Sequence, residues 1–353
     1  PAAVVLGRRV ETEARTLPAR HLRFSGPLAP HGSWAVAAAE LKVTEDDEGR
    51  TFSLEDLPRS PYAERFRQGA TLVPRMLLCV VDAAAGPVGV PKGQRAVRSR
   101  RGRLDKAPWK DLPDHTGVVE QVFVRPAFLG EHVLPFRLLD PAEAVVPYDG
   151  TALLSGDSDR IDRYPGLAQW WRSAEQIWEA HKGSGSTLSL IDQVDYQKKL
   201  SAQFPLAPIR VVYSASGNTL AAAVLTNTRA VIEHALYWGT TATLDEARYL
   251  TAILNAPALT ARIRPYQSVG AFGPRHFDKY VWYAPIPEFD HDDPHHRRLV
   301  DLTTEAEAVA NEVNIGDSGF QQARKHIREA LAHEGVAREL DDAVGCLLGR
   351  APG

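Results

Sequence analysis

The sequence has few of the features that mark membrane-spanning or secreted proteins. Its longest apolar runs, such as residues 76–85, fall far short of the roughly 20 residues that a membrane-spanning helix needs. The apolar start reaches Arg8 without a secretory cleavage pattern. Cys79 and Cys346 are the only cysteines, which argues against a disulfide framework and against a thiolate zinc site. We therefore expect a cytoplasmic protein that does not contact a membrane.

Local signatures of several enzyme classes are missing as well. The chain has no GxxxxGK[ST] nucleotide loop, no GxSxG elbow, no HExxH helix and no GxGxxG turn after a strand. The usual anchors for a nucleotide hydrolase, a serine hydrolase, a zinc protease or a dinucleotide oxidoreductase are thus lacking. We therefore predict no catalytic residue, and no cofactor bound by this segment.

Length and composition describe an ordinary globular protein. With 353 residues and 44% hydrophobic content, the chain can bury a core, and its length favours two domains or one large domain. The net charge of -3 gives no overall sign of nucleic-acid binding, so such a function would depend on how the charge is distributed. The sequence begins at Pro1 without a methionine, and we favour a piece of a longer polypeptide over removal of the initiator.

The hydrophobic pattern predicts an α+β fold in four parts. The boundary in the middle is placed at the Gly-Ser stretch 182–187, which is typical of a flexible joint. The parts are a lead-in segment (1–60), a β-rich module with a tryptophan-rich helix (61–182), a second α+β module (183–297) and a C-terminal helical arm (298–353).

In the first module, apolar and β-branched runs predict a twisted, largely antiparallel sheet. These runs are 71–81, 117–124 and 132–139. The helix predicted at 160–182 carries three tryptophans at helical spacing. We expect them to lie in the core, although a docking face for a protein partner is the alternative.

In the second half, three short runs predict strands joined as a meander. They are 209–214, 220–225 and 231–238. A helix is expected from Asp245 to Asn255, where Pro257 ends it. Helical spacing then extends from about 296 to 348, with breaks at 316–319 and near Gly335.

The most uneven charge distribution occurs at 95–110, a segment that contains seven cations and a single acidic residue, Asp105. With Trp109 beside them for stacking, these cations are suited to neutralising phosphates or contacting guanine, because their charge has no evident partner. A solvated loop is the alternative. The cations are Arg95, Arg98, Arg100, Arg101, Arg103, Lys106 and Lys110.

A second candidate for DNA contact is the glycine-containing loop at 270–279. Arg275, His276 and Lys279 are suited to a loop laid along a nucleic-acid backbone. The same loop is equally consistent with a tight connection that buries Phe272 and Phe277 in the core.

The cluster at 290–296 combines three aspartates with His291, His295 and His296, which suggests a metal-dependent enzyme as an alternative function. A helix start explains it more simply. Asp292 or Asp293 before Pro294 is the pattern of an N-cap followed by proline in the first turn. We therefore predict no metal ligand here.

Several motifs occur in an order that resembles the C-terminal target-recognition region of adenine-specific (N6) DNA methyltransferases and of Type I and Type IIG-like restriction-modification enzymes. In the second half the motifs are Tyr249-Leu-Thr-Ala-Ile-Leu-Asn-Ala256, Gly273-Pro-Arg-His-Phe277 and Tyr283-Ala-Pro-Ile-Pro287. In the first half they are Gly69-Ala-Thr-Leu-Val-Pro-Arg75, Ser99-Arg-Arg101, Pro108-Trp-Lys110 and Val124-Arg-Pro126. The resemblance covers about residues 65–315.

This resemblance implies recognition of double-stranded DNA within a DNA methylation, restriction-modification or phage-defence system. In such enzymes an upstream domain binds S-adenosylmethionine and flips the adenine, while the recognition region clasps the duplex. This sequence departs from the family because it lacks the Asn-Pro-Pro-aromatic motif that holds the target amino group. We therefore expect a non-catalytic fragment or subunit that works with a methyltransferase catalytic domain, to which S-adenosylmethionine would bind.

Overall fold

The structure is a computed structural model that divides the chain into two compact units, Pro1–Pro58 and Arg59–Gly353. It describes residues 21–26, 33–46, 59–86, 89–102, 105–267, 269–270, 273–274, 276–316 and 318–349.

The first unit contains regular structure within the predicted lead-in segment. Strand β1 (His21–Ser25) pairs antiparallel with β2 (Lys42–Asp46), and helix α1 (Trp34–Glu40) lies between them in sequence. Ser33 is the N-cap of α1, and its hydroxyl accepts the Val36 N–H.

The second unit is built from helices and mainly antiparallel strands, which confirms the α+β prediction. Its strands are β3 (Phe66–Gln68), β4 (Cys79–Asp82), β5 (Gln94–Ser99), β6 (Thr116–Glu120), β7 (Val124–Phe128), β8 (Val133–Leu134), β9 (Arg137–Leu138), β10 (Ala142–Val145), β11 (Arg210–Ser214), β12 (Ala222–Leu225), β13 (Val231–Ile232), β14 (Leu236–Thr240), β15 (Val269–Gly270) and β16 (Gly273–Pro274). Its helices are α2 (Arg75–Leu78), α3 (Pro165–His181), α4 (Leu190–Val194), α5 (Leu244–Asn255), α6 (Pro257–Ile263), α7 (Pro294–Glu312), α8 (Phe320–His333) and α9 (Val336–Leu347).

Two larger sheets organise this unit. One has the order β13-β7-β10-β4-β5-β6, and its pairs are antiparallel except for β13 with β7. The other has the order β12-β11-β14-β3 and is antiparallel throughout. Each sheet draws strands from both sides of the Gly-Ser stretch at 182–187, since β13 pairs with β7 and β14 pairs with β3. The compact unit thus extends across that stretch, and the four-part division of the sequence stays a prediction.

The larger sheet packs against α3, and the smaller one packs against α5 and the C-terminal helices. The core between the larger sheet and α3 buries the three tryptophans of this helix, Trp170, Trp171 and Trp178. Their expected core role is therefore confirmed, and their rings are not open to a partner. The helix begins at Pro165, after a 3₁₀ turn at Asp159–Arg163. The C-terminal helices are also confirmed, and apolar residues of α7, α8 and α9 pack in the core that includes the smaller sheet and α5.

Two strand predictions were wrong because proline or a buried charge interrupts the run. The run 71–81 is not one strand, since Pro74 stands at the start of the one-turn helix α2 and β4 begins only at Cys79.

The run 231–238 is not one strand of a meander either. The chain leaves the larger sheet at Glu233, whose buried carboxylate lies 3.1 Å from the Arg75 guanidinium, and enters the other sheet as β14. There β11 lies between β12 and β14.

The runs 117–124 and 132–139 also differ from the prediction. The first is divided into β6, a 3₁₀ turn at Gln121–Phe123 and the start of β7. The second forms the short hairpin β8–β9, outside the larger sheet, and Phe136 in its turn has a φ of 59°. Over the part of the chain that the structure describes, no helix combines the length and the apolar character needed to cross a bilayer.

Candidate nucleic-acid interface

Three cations of the basic segment 95–110 are paired inside the protein. Arg95 lies on β5, and its guanidinium donates to Glu143 at 2.6 Å and to Asp82 at 2.5 Å. Arg98 and Arg101 share the Asp114 carboxylate, at 3.5 and 2.7 Å. The expectation that this charge has no partner is therefore wrong for Arg95, Arg98 and Arg101, because the acids that neutralise them lie outside the segment.

Arg101 has a further structural role. Its two terminal nitrogens donate to the backbone carbonyls of Trp109 at 2.8 Å and Leu112 at 2.5 Å. The Trp109 ring stacks on Trp178 of α3, with ring centroids 5.6 Å apart and planes 12° apart. Arg101 thus fastens the 109–112 turn against the core, and one face of Trp109 is already covered.

The remaining residues of this segment differ in accessibility. Lys106 and Lys110 are exposed, and Arg100 is partly buried. Arg103 lies outside the described residues. Contact of this segment with DNA stays a prediction, and it depends mainly on the two lysines.

The second predicted loop is split between core and surface. His276 is exposed, and its carbonyl accepts a hydrogen bond from the Gln267 amide at 3.0 Å. Phe277 is fully buried, which confirms its alternative role in the core. Arg275 and Phe272 lie outside the described residues. Lys279 is exposed and borders a groove that the sequence does not reveal.

This groove, which we call the basic groove, has a volume of about 500 Å³. Its lining contains four cations, two glutamines and two aromatic rings, and none of its described residues is acidic. The lining residues are Arg67, Gln68, Gln197, Lys198, Lys199, Ala202, Tyr237, Trp238 and Lys279.

One wall of the basic groove is the edge of the smaller sheet. Strand β3 is the last strand in the sheet order, and it places Arg67 opposite Trp238 and Gln68 opposite Tyr237. Residues directly opposite each other in a strand pair share one face, so each polar side chain stands beside an aromatic one. Tyr237 is protonated at neutral pH like any tyrosine and can donate a hydrogen bond, and burial raises its pKa further, to about 12.

Another part of the lining is the turn that follows α4. The Asp195 carboxylate accepts the N–H groups of Leu200 at 3.0 Å and Ser201 at 2.7 Å, and its carbonyl accepts the Lys198 N–H. Within this brace, Gln197 has a φ of 57° and Lys198 a φ of 58°. Residues other than glycine seldom adopt this left-handed conformation, which is energetically costly and is often found at functional sites. Both side chains are exposed.

The cations of the basic groove differ from those of β5 in having few internal partners. Lys199 donates to the Gln68 side chain at 2.8 Å, and burial lowers the pKa of this lysine. The side chains of Arg67, Lys198 and Lys279 form no hydrogen bond or ion pair with any described residue. The basic groove therefore holds three cations free to bind an external anion, and they line one groove. In the segment 95–110, Arg100, Lys106 and Lys110 likewise form no side-chain hydrogen bond or ion pair with a described residue, but they do not line this groove.

Sequence reasoning found only Lys279 of this set. The other members come from β3, from the turn after α4 and from β14, and no single stretch of sequence contains them together. The adjacent Lys198 and Lys199 were the available local signal. They acquire significance only when the β3–β14 pairing brings Arg67 beside them.

The Asp/His cluster forms a helix start. Asp293 is the N-cap of α7, its carboxylate accepts the His295 N–H at 2.7 Å, and Pro294 occupies the first turn. His296 is buried, and its Nδ1 accepts the Asp290 N–H at 3.0 Å. The N-cap explanation is thus confirmed. Across the described ranges, no group of three His, Cys, Asp or Glu side chains is arranged to hold a metal ion.

Comparison with known protein families found no match, and comparison with curated proteins found none either. Among solved structures, the chain is similar to the Type IIL restriction-modification enzyme MmeI in complex with DNA, with a TM-score of 0.45 and 11% identity over 65% of this chain and 29% of that one. It is also similar to the type IIG restriction endonuclease BpuSI, with a TM-score of 0.34 and 14% identity over 72% of this chain and 30% of that one. The matched part therefore spans less than a third of either enzyme.

Proposed function

We propose that this protein binds duplex DNA and that the basic groove is its principal contact with the phosphate backbone. The observation that carries this proposal is the set of three cations without described internal partners, Arg67, Lys198 and Lys279, around a groove with no described acidic lining residue. Such a set attracts a polyanion and is neutralised by it, with release of condensed counterions. The groove is much smaller than a duplex, so the backbone would lie along it while the helix remains outside.

The motif order adds a finer proposal. The chain acts as a target-recognition part of an adenine-specific methylation or restriction-modification system, and S-adenosylmethionine binds to an associated catalytic domain. This part of the proposal depends on the resemblance of the sequence motifs alone. A metal-dependent enzyme at 290–296 has less support, because Asp293 and His296 are already engaged in starting α7.

The salt dependence of binding tests the proposal. Affinity of the full chain for a labelled duplex of mixed sequence is measured between 50 and 200 mM salt. Replacing Arg67, Lys198 and Lys279 together by alanine should reduce the slope of log affinity against log salt by about 2.7, since each phosphate contact contributes about 0.9. The three contacts correspond to roughly 40-fold in affinity over that salt range.

A matched control separates the groove from net charge. The variant Arg297→Ala, Lys325→Ala, Arg338→Ala removes the same charge from exposed positions on α7, α8 and α9. Its salt slope should remain that of the wild type. Equal loss in both variants would mean that binding follows overall charge, and absence of any salt-dependent duplex binding would refute the proposal.

A third variant tests the segment chosen from sequence. Lys106→Ala, Lys110→Ala removes its two exposed lysines. If this variant loses slope and the groove variant does not, the principal contact lies at 95–110 and not in the basic groove.

A further inference from the structure

Gln197 differs from the other glutamine of the basic groove in the availability of its amide. The Gln68 oxygen accepts from Lys199 at 2.8 Å, and its nitrogen donates to the His234 carbonyl at 2.8 Å. Both ends of that amide are therefore in use. The Gln197 amide forms no hydrogen bond with a described residue and is exposed at the groove wall. A donor and an acceptor are thus presented together, beside the cations.

The backbone around Gln197 is built to hold that position. The left-handed conformation at Gln197 and Lys198 is unfavourable for both residues, yet the turn keeps it through three backbone N–H groups that donate hydrogen bonds to Asp195. A loop fixed in this way loses little conformational freedom when a ligand binds. Charge attraction alone would not require such a brace, since flexible lysines reach phosphates without it.

We propose that Gln197 is a base-reading residue, whose side-chain amide hydrogen-bonds the edge of an adenine in the major groove while Arg67, Lys198 and Lys279 hold the phosphates. This rests on the proposed function of the basic groove. A glutamine amide pairs in bidentate fashion with adenine N6 and N7, whereas phosphate contacts position the duplex without reading its sequence. Because the amide is neutral, its contribution should appear in sequence preference and not in salt dependence.

The test is selection of preferred sequences from a randomised duplex pool by the full chain, followed by affinity measurements on the best duplex and on one that lacks its motif. Gln197→Ala should lose an adenine preference at one position. Its affinity for the best duplex should fall by about tenfold to a hundredfold, with unchanged affinity for the other duplex and an unchanged salt slope. Gln197→Gly should behave alike, because glycine accepts the left-handed turn and loses only the amide.

Two control variants sharpen the comparison. Gln121→Ala removes an exposed glutamine outside the groove and should keep the selected motif. Lys198→Ala should weaken binding to both duplexes and reduce the salt slope by about 0.9.

The outcomes separate the two proposals. If the wild type binds no duplex, the proposed function fails. If it binds DNA but selects no motif, or if Gln197→Gly retains every preference, only the base-reading role is overturned. A loss in Gln197→Gly that is equal for both duplexes and lowers the salt slope would also overturn it, because Gln197 would then support the backbone contact alone.

Discussion

Arg101 provides the clearest test of the distinction between cations that build the fold and cations that are free to bind. Its guanidinium joins Asp114 to the carbonyls of Trp109 and Leu112, and its side chain is 31% exposed. Hydrogen bonds to a charged group contribute about 1.5 to 3 kcal/mol each, and partial exposure favours the lower figure. The exposed ion pair adds at most about 1 kcal/mol. We therefore expect Arg101→Ala to reduce the free energy of unfolding by about 3 to 4 kcal/mol.

Two further variants separate the geometry of the guanidinium from its charge. Arg101→Lys keeps the charge but cannot reproduce the planar fork that reaches two carbonyls, so it should recover about 1 kcal/mol at most. Lys110→Ala removes an exposed cation from the same segment and should change stability by less than about 0.5 kcal/mol.

Urea unfolding measures the global effect, and hydrogen exchange of the peptide covering 105–114 measures the local one. Exchange should accelerate in Arg101→Ala and remain unchanged in Lys110→Ala, because the turn loses its attachment only in the first variant. The structural role of Arg101 would be refuted if the alanine variant unfolded like the wild type yet lost DNA affinity, or if both variants were equally destabilised.

Two other predictions concern stability. Burial lowers the pKa of His132 to about 4, below the value of about 6.5 expected in the unfolded chain. Between these two pH values only the unfolded state binds the proton. The free energy of unfolding should therefore fall as the pH drops from about 6.5 to 4, by at most about 3 kcal/mol. His132→Asn, whose side-chain oxygen can still accept the Leu129 N–H, should flatten urea-derived stability against pH by up to one proton; an unchanged profile would exclude His132 as the cause. Gly69→Ala should destabilise the protein by about 1 to 3 kcal/mol or more in urea unfolding, since the added methyl would lie 2.3 Å from the Glu233 carbonyl oxygen. The control Gly183→Ala meets nothing within 4 Å, so an equal cost in both would contradict this steric explanation.

The sequence predicted the parts of the fold that depend on local signals. The helices α3, α5 and α7 were found because apolar spacing, capping residues and proline positions lie within each helix itself. The two halves of 231–238 could not be separated in the same way. Their division depends on the buried pair of Glu233 with Arg75, and Arg75 lies on a distant part of the chain.

The candidate site was harder to predict for a related reason. The sequence pointed to 95–110 because Asp105 is the only acidic residue within that segment. Of the acids that neutralise these cations, Asp114 lies just beyond the segment and Glu143 lies on β10 of the same sheet. Conversely, Arg67 and Lys279 lie far from Lys198 in sequence and become its neighbours only through the fold.

Anion binding is therefore better judged from cations that lack an internal partner and line one groove than from the number of cations in a segment. A guanidinium already bonded to a carboxylate, as in Arg95, must give up that bond before it can gain one to phosphate, so its net contribution to binding is small. Arg67, Lys198 and Lys279 have no such bond to exchange with the described residues, and the braced turn at Asp195 keeps one of them in place. The strained turn and the unneutralised charge are both unfavourable for the free protein. Their occurrence together at one groove is explained if a bound polyanion compensates for them.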